Sequence, residues 1–191
     1  MQNPKLKNSA LYLAVAAMFV AVITGGKMAL AIIPNVEVVS VLLAVCAYVW
    51  GLGMALPVAV VFTLIQMAIY SFNIWVLEYL AYWPLLAICF WALGKVRFQK
   101  TVVQVVFATL LIVVCTLFFG VFTSVVDTLV GYGSGGFKVV LDNFWQRFCV
   151  MYVRGIPFFA IHVCSNAVLF AVAFHPLVVL NKKAKLRMFA V

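Results

Sequence analysis

From Val38 to Leu77 the chain carries no Asp, Glu, Lys or Arg. That stretch is about twice the roughly 20 apolar residues that cross a bilayer. No water-soluble core hides so long an uncharged run, so it must fold back once as a helical hairpin. Gly51, Gly53 and Pro57 fall near its middle, where helix breakers turn a chain at the membrane surface.

With the charges used as rulers, further uncharged stretches run from Asn8 to Gly26, Tyr79 to Gly94, Thr101 to Val126 and Gly155 to Asn181. They predict spans at roughly 9–27, 36–52, 54–72, 75–94, 102–130 and 155–180. The expected fold is an all-α membrane protein: one domain over 1–191, a compact bundle of six transmembrane helices. Composition agrees, since 68% hydrophobic and 9% charged residues stand far from the roughly half-apolar, quarter-charged balance of soluble domains. The first apolar run is too long for a signal-peptide core and no A-x-A cleavage pattern follows, so it reads as the first span.

A net charge of +9 raises the question of nucleic acid, but the cations cluster beside the spans rather than on a soluble face. Lys5 and Lys7 precede span one, Lys95, Arg97 and Lys100 separate spans four and five, and Lys182, Lys183, Lys185 and Arg187 follow span six. All three clusters fall on one side if the crossings are even in number. The positive-inside rule makes that side cytoplasmic, with the N and C termini cytoplasmic as well.

An ionisable side chain at membrane depth costs roughly 2.5–3.5 kcal/mol on insertion scales, so each one retained needs pairing or function. Lys27, Asn35 and Glu37 flank the outer turn between spans one and two. Trp75, Glu78, Tyr79, Tyr82 and Trp83 open span four on the same side, span five ends there with Ser124 and Asp127, and Arg154 begins span six there. The cytoplasmic half is nearly free of such groups. This asymmetry predicts a polar, aromatic cavity open outward above an apolar floor. Trp75, Glu78, Tyr79 and Tyr82 share one helical stripe, expected to face inward because a carboxylate beside aromatics on the lipid face would be costly. Interfacial anchoring is the ordinary reading of the aromatics, and a structural salt bridge is that of Glu37, Asp127 and Arg154.

Other features carry less chemistry. Cys46, Cys89, Cys115, Cys149 and Cys164 are isolated and lack C-x-x-C spacing, so they read as small packing residues. His162 and His175 have no second ligand at i+3 or i+4 and read as structural; no metal site and no cofactor is expected. The Gly-rich run Gly131–Gly136 lacks the lysine and spacing of a phosphate loop and reads as an outer loop or lid. From Asp142 to Arg147 a short interfacial helix is expected, carrying Phe144 and Trp145. No nucleophile-and-base, paired-acid or metal-helix string of an intramembrane enzyme is present. Ala10, Ala14, Ala17 and Ala21 lie on one face of span one, the small-residue pattern through which membrane helices pack closely, on a partner or within the bundle.

Taken in order, these residues resemble the substrate-binding S components of energy-coupling-factor (ECF) vitamin transporters of bacteria. Ala10/Ala14 and Ala17/Ala21 are similar to that family's first-helix A-x-x-x-A docking motif. The segment Ile33-Pro34-Asn35-Val36-Glu37-Val38-Val39-Ser40, preceded by Gly25-Gly26-Lys27, is similar to its P-N-V-x-x-[VT] segment, and the strings from Tyr79 to Pro84 and Phe119 to Asp127 also look like segments of its members. The resemblance covers nearly the whole chain. It implies a plasma-membrane receptor subunit without its own ATPase, working with a transmembrane coupling subunit and two cytoplasmic ATPases that topple it to deliver its ligand inward. Substrate contacts would come from Lys27, Asn35, Glu37, Trp75, Glu78, Tyr79, Tyr82, Asp127 and Arg154, and docking from the four alanines. Aromatic faces with carboxylates suit a flat heterocycle such as hydroxymethylpyrimidine or pyridoxine, while the Pro-Asn loop resembles members associated with cobalamin. A scaffold protein with no small-molecule ligand is the alternative from another class.

Overall fold

The computed structural model describes residues 4–130 and 143–189, with side chains from Ser9 onward. The expected loop at Gly131–Gly136, Asp142, and the side chains of Lys5 and Lys7 lie outside the described residues. The described chain is helical throughout, its elements joined by short turns. They are α1 (Pro4–Ala29), α2 (Val39–Trp50), α3 (Leu52–Tyr70), α4 (Ile74–Leu93), α5 (Thr101–Val130), α6 (Phe144–Leu169), a π-helical turn (Phe170–Phe174) and α7 (His175–Phe189).

Five segments are long and apolar enough to cross a membrane: Ser9–Ala29, Leu52–Tyr70, Ile74–Leu93, Thr101–Val130 and the continuous Phe144–Phe189. By length and composition the chain is a helical, multi-pass membrane protein. The second expected span, 36–52, is a shorter helix of 12 residues, about 18 Å long at 1.5 Å per residue. Backbone geometry trims it at both ends. Asn35 holds a positive φ of 59° before it, and Gly51, at φ 88°, ends it and starts α3.

α2 compensates for its length by its position. Ten of its residues are buried, from Val39 to Trp50, and it packs against α1, α3, α4 and α7. A helix apolar on every side belongs inside other helices, and α2 is the axis around which they stand. The surrounding helices divide their apolar residues between core and surface. On α5, Val103, Phe107, Leu110, Val114, Leu117 and Val121 form an exposed stripe at helical spacing, as expected of a face turned to lipid.

The last expected span, 155–180, is part of a helix running from Phe144 to Phe189, and the described part of the expected short interfacial helix, residues 144–147, is in fact its first turn. Charges bound how much of a helix lipid can cover, not how far the helix extends, so Arg147 and Arg154 do not interrupt it. The π turn is its one irregularity, and the stacked Phe170 and Phe174 rings there, 5.5 Å apart, press against Phe90 of α4.

The free cysteines divide by position, with Cys46 and Cys115 buried and Cys164 exposed. At the end where α2 and α4 finish, polar contacts fasten the C-terminal helix. Gln104 Nε2 donates to the Tyr48 hydroxyl at 3.0 Å, and Gln104 Oε1 lies 3.0 Å from His175 Nδ1. Trp50 Nε1 donates to Asn181 Oδ1 at 3.0 Å.

Candidate ligand cavity at one end of the bundle

The opposite end is shaped by the turn from Leu30 to Val38. Backbone N–H groups of Ile33 and Val36 donate to Leu30 O and Ile33 O at 3.0 and 3.3 Å, winding the chain into consecutive tight turns through Pro34. Asn35 takes the left-handed conformation, which asparagine tolerates better than most side chains. Gly26 permits the return, because a Cβ there would stand 2.5 Å from Val38 Cγ2. Glu37 is thereby folded back onto Lys27, in the last turn of α1, where the negative end of the helix dipole favours a cation.

Lys27 is the hub. Its Nζ lies 3.3 Å from Glu37 Oε2 and donates to the Tyr79 hydroxyl at 3.0 Å, and it also sits 4.8 Å from the Tyr79 ring centroid. From α6, His162 Nε2 approaches Glu37 Oε1 to 3.7 Å, beyond ordinary hydrogen-bond reach. The side chains of Lys27, Glu37 and His162 are only 19%, 13% and 6% exposed. These groups border a cavity of about 290 Å³ whose wall also includes Asn35, Pro34, Tyr70 and Phe119.

Its aromatic wall belongs to a larger stack. Trp75, Tyr79 and Trp83 follow one another along α4 with centroids 5.2 and 5.3 Å apart. Phe119 lies 4.4 Å from Tyr82 and meets His162 edge-on at 5.9 Å. Under Phe119, Asn166 Nδ2 donates to Thr116 Oγ1 at 2.9 Å. His162 Nε2, Glu78 Oε1, Tyr82 OH and Trp83 Nε1 are buried without a hydrogen-bond partner among the described residues. Such groups are costly unless water or a ligand satisfies them. His162 belongs to the cavity wall, so its free nitrogen is available to a guest.

The residues singled out from sequence fall into three groups. Lys27, Asn35, Glu37 and Tyr79 line the cavity together. Trp75, Glu78 and Tyr82 turn inward on α4 but stand behind its wall, Glu78 and Tyr82 buried and Trp75 packed on Tyr79 and Tyr70. Asp127 and Arg154 are exposed and do not line it, and Arg154 sits well inside α6 beside Cys149, Val150 and Val153. Ser124, read as an outer polar group, is buried and donates to Gly120 O at 2.8 Å.

His162, Tyr70 and Phe119 enter the wall without having been singled out as binding residues. His162 has no helical-spacing partner because its neighbour is Glu37, in the turn between α1 and α2. Tyr70 ends α3 beside Ser71, whose φ of 68° turns the chain toward α4.

Comparison with protein-family models, curated proteins and solved structures finds no match for this chain.

A second concave surface is apolar. Ala10, Ala14, Ala17 and Ala21 are all exposed, so the stripe faces away from the bundle. Ala17 and Ala21, with Gly25, Met28, Pro57 and Val61, line a groove of about 590 Å³ between α1 and α3.

Proposed function

We propose that this chain is the ligand-capturing S component of an ECF-type transporter in a bacterial plasma membrane, crossing the bilayer six times with both termini cytoplasmic. The carrying observation is the largely buried cluster of Lys27, Glu37, Tyr79 and His162 around a cavity at one end of the bundle. A carboxylate, an ammonium, an imidazole and aromatic faces in one pocket suit a small solute with both hydrogen-bonding edges and a flat ring. The cavity volume of about 290 Å³ lies at the small end of the roughly 300–1,000 Å³ range of ligand pockets. That size favours a single-ring compound, such as hydroxymethylpyrimidine or pyridoxine, over cobalamin. The short α2 counts as the second crossing because neighbouring helices shield it.

Transport on this reading requires the coupling subunit and its two ATPases. The outward-facing alanine stripe supports docking there, since small residues let a partner helix come close. A scaffold protein without a ligand would have little use for a cavity holding an imidazole nitrogen that has no hydrogen-bond partner among the described residues.

The test is a thermal-stability screen of the purified protein against water-soluble vitamins, with mass spectrometry of any compound retained from the host. A compound present at 100 times its Kd raises stability by about 2.7 kcal/mol, readily seen as a shift in Tm. Preparations that are empty and unmoved by every compound would overturn the receptor reading.

A further inference from the structure

The end of the bundle away from the cavity holds a second site, and its chemistry is cationic. Lys185 Nζ donates to Val49 O at 2.8 Å and lies 5.6 Å from the Trp50 ring. Lys182 stands 5.6 Å from the Tyr48 ring, and Lys95 stands 5.1 Å from Trp91. The lysines therefore lie over aromatic faces instead of extending freely into water. Among the described residues none of the three has a carboxylate within ion-pair distance, since the described acids, Glu37, Glu78 and Asp127, belong to the other end.

Two adjoining hollows meet at this cluster. One, about 280 Å³, is lined by Lys95, Lys185, Tyr48, Trp50, Trp91 and Gly94. The other, about 460 Å³, is lined by Lys182, Lys185, Val49, Leu186 and Phe189. Val49 and Lys185 border both. The pair forms a cationic cup opening onto a partly apolar trough, beside tryptophans of the kind that settle at membrane interfaces.

We propose that this site binds the phosphodiester of an anionic phospholipid between Lys95, Lys182 and Lys185, with acyl chain laid along Leu186 and Phe189. Charge complementarity selects the headgroup: three lysines border the two adjoining hollows with no acid to neutralise them among the described residues, and basic pockets between membrane helices recognise anionic headgroups in this way. The trough selects a lipid over a soluble phosphate, because only a lipid fills both hollows at once. One ammonium already neutralises the carbonyl end of α2, which leaves Lys95 and Lys182 as the principal phosphate contacts. The site is independent of the cavity at the other end and stands whatever that cavity binds.

The experiment titrates the full-length, detergent-purified protein with phosphatidylglycerol or phosphatidylcholine and reads bound lipid by native mass spectrometry. Phosphatidylglycerol is expected to bind preferentially. A lysine merely near an anionic surface contributes about fivefold in affinity, so Lys95→Ala and Lys182→Ala should each cost more than that, and Lys183→Ala, outside both hollows, no more. Neither Lys95 nor Lys182 makes a hydrogen bond among the described contacts, so these variants are expected to fold; Lys185 is left intact because it holds α2. Equal binding of the two lipids, or equal loss in all three variants, would overturn the site. Displacement of the lipid by inorganic phosphate at matched concentration would also overturn it, by showing that acyl chain adds nothing.

Discussion

Lys27 and Glu37 close the turn between α1 and α2 on themselves, ammonium to carboxylate at 3.3 Å, with most of both side chains withdrawn from solvent. The pair performs two tasks. It holds the Pro34–Asn35 turn against the bundle, and it places a positive and a negative group on one cavity wall. Glu37→Gln is expected to destabilise the fold by up to about 3 kcal/mol, the low end for removing one partner of a buried pair, because Lys27 keeps Tyr79. Lys27→Met combined with Glu37→Gln should recover part of that loss, measured as non-additivity in a double-mutant cycle of thermal unfolding.

His162 offers a sharper separation of stability from binding. Its Nε2 makes no hydrogen bond among the described residues, so His162→Phe removes none of those from that atom while filling part of the cavity. Unfolding temperature without ligand should stay near the parent value. The shift produced by pyridoxine or hydroxymethylpyrimidine, whichever the parent protein binds, should disappear. A shift retained in full would remove His162 from the binding wall.

The contact between α5 and α6 depends on a missing side chain. A Cβ at Gly120 would stand 3.0 Å from the Phe159 ring, so Gly120→Val should wedge the helices apart. The expected cost is about 1–3 kcal/mol, the usual range for overpacking. Phe159→Leu in the same chain should relieve it, measured by thermal unfolding in detergent.

The alanine stripe makes the opposite pattern of prediction. Ala14 and Ala17 are exposed, so Ala14→Leu and Ala17→Leu are expected to leave folding and ligand binding unchanged. Uptake by cells that supply the coupling subunit and ATPases should fall to background. Equal loss of ligand binding would mean that the stripe supports the bundle internally.

Much of the architecture was legible because lipid imposes a simple grammar of long apolar helices and short breaks. The hairpin turn at Gly51 falls inside the uncharged stretch where it was expected, and the stripe of Trp75, Glu78, Tyr79 and Tyr82 does turn inward. Charge placement misleads at α6, where Arg154 marks the edge of an apolar window yet lies on a helix begun ten residues earlier. The joining of His162 to Glu37 has no trace in local spacing, since it arises from the packing of α6 beside the α1–α2 turn. Asp127 and Glu78 share an end of the molecule with the cavity, but nearness in depth does not decide which way a side chain points around a helix.

The π-helical turn at Phe170–Phe174 sets the phase of everything that follows. An α-helix advances about 100° with each residue, so removing one residue from this turn would swing Asn181 and Lys185 round by about that angle. Trp50 and the carbonyl of Val49 would then lose their partners together. A single wide turn thus works as a phase shifter: it lets one unbroken rod offer His162 to one terminus of the bundle and Asn181 to the other, both directed at the same central axis.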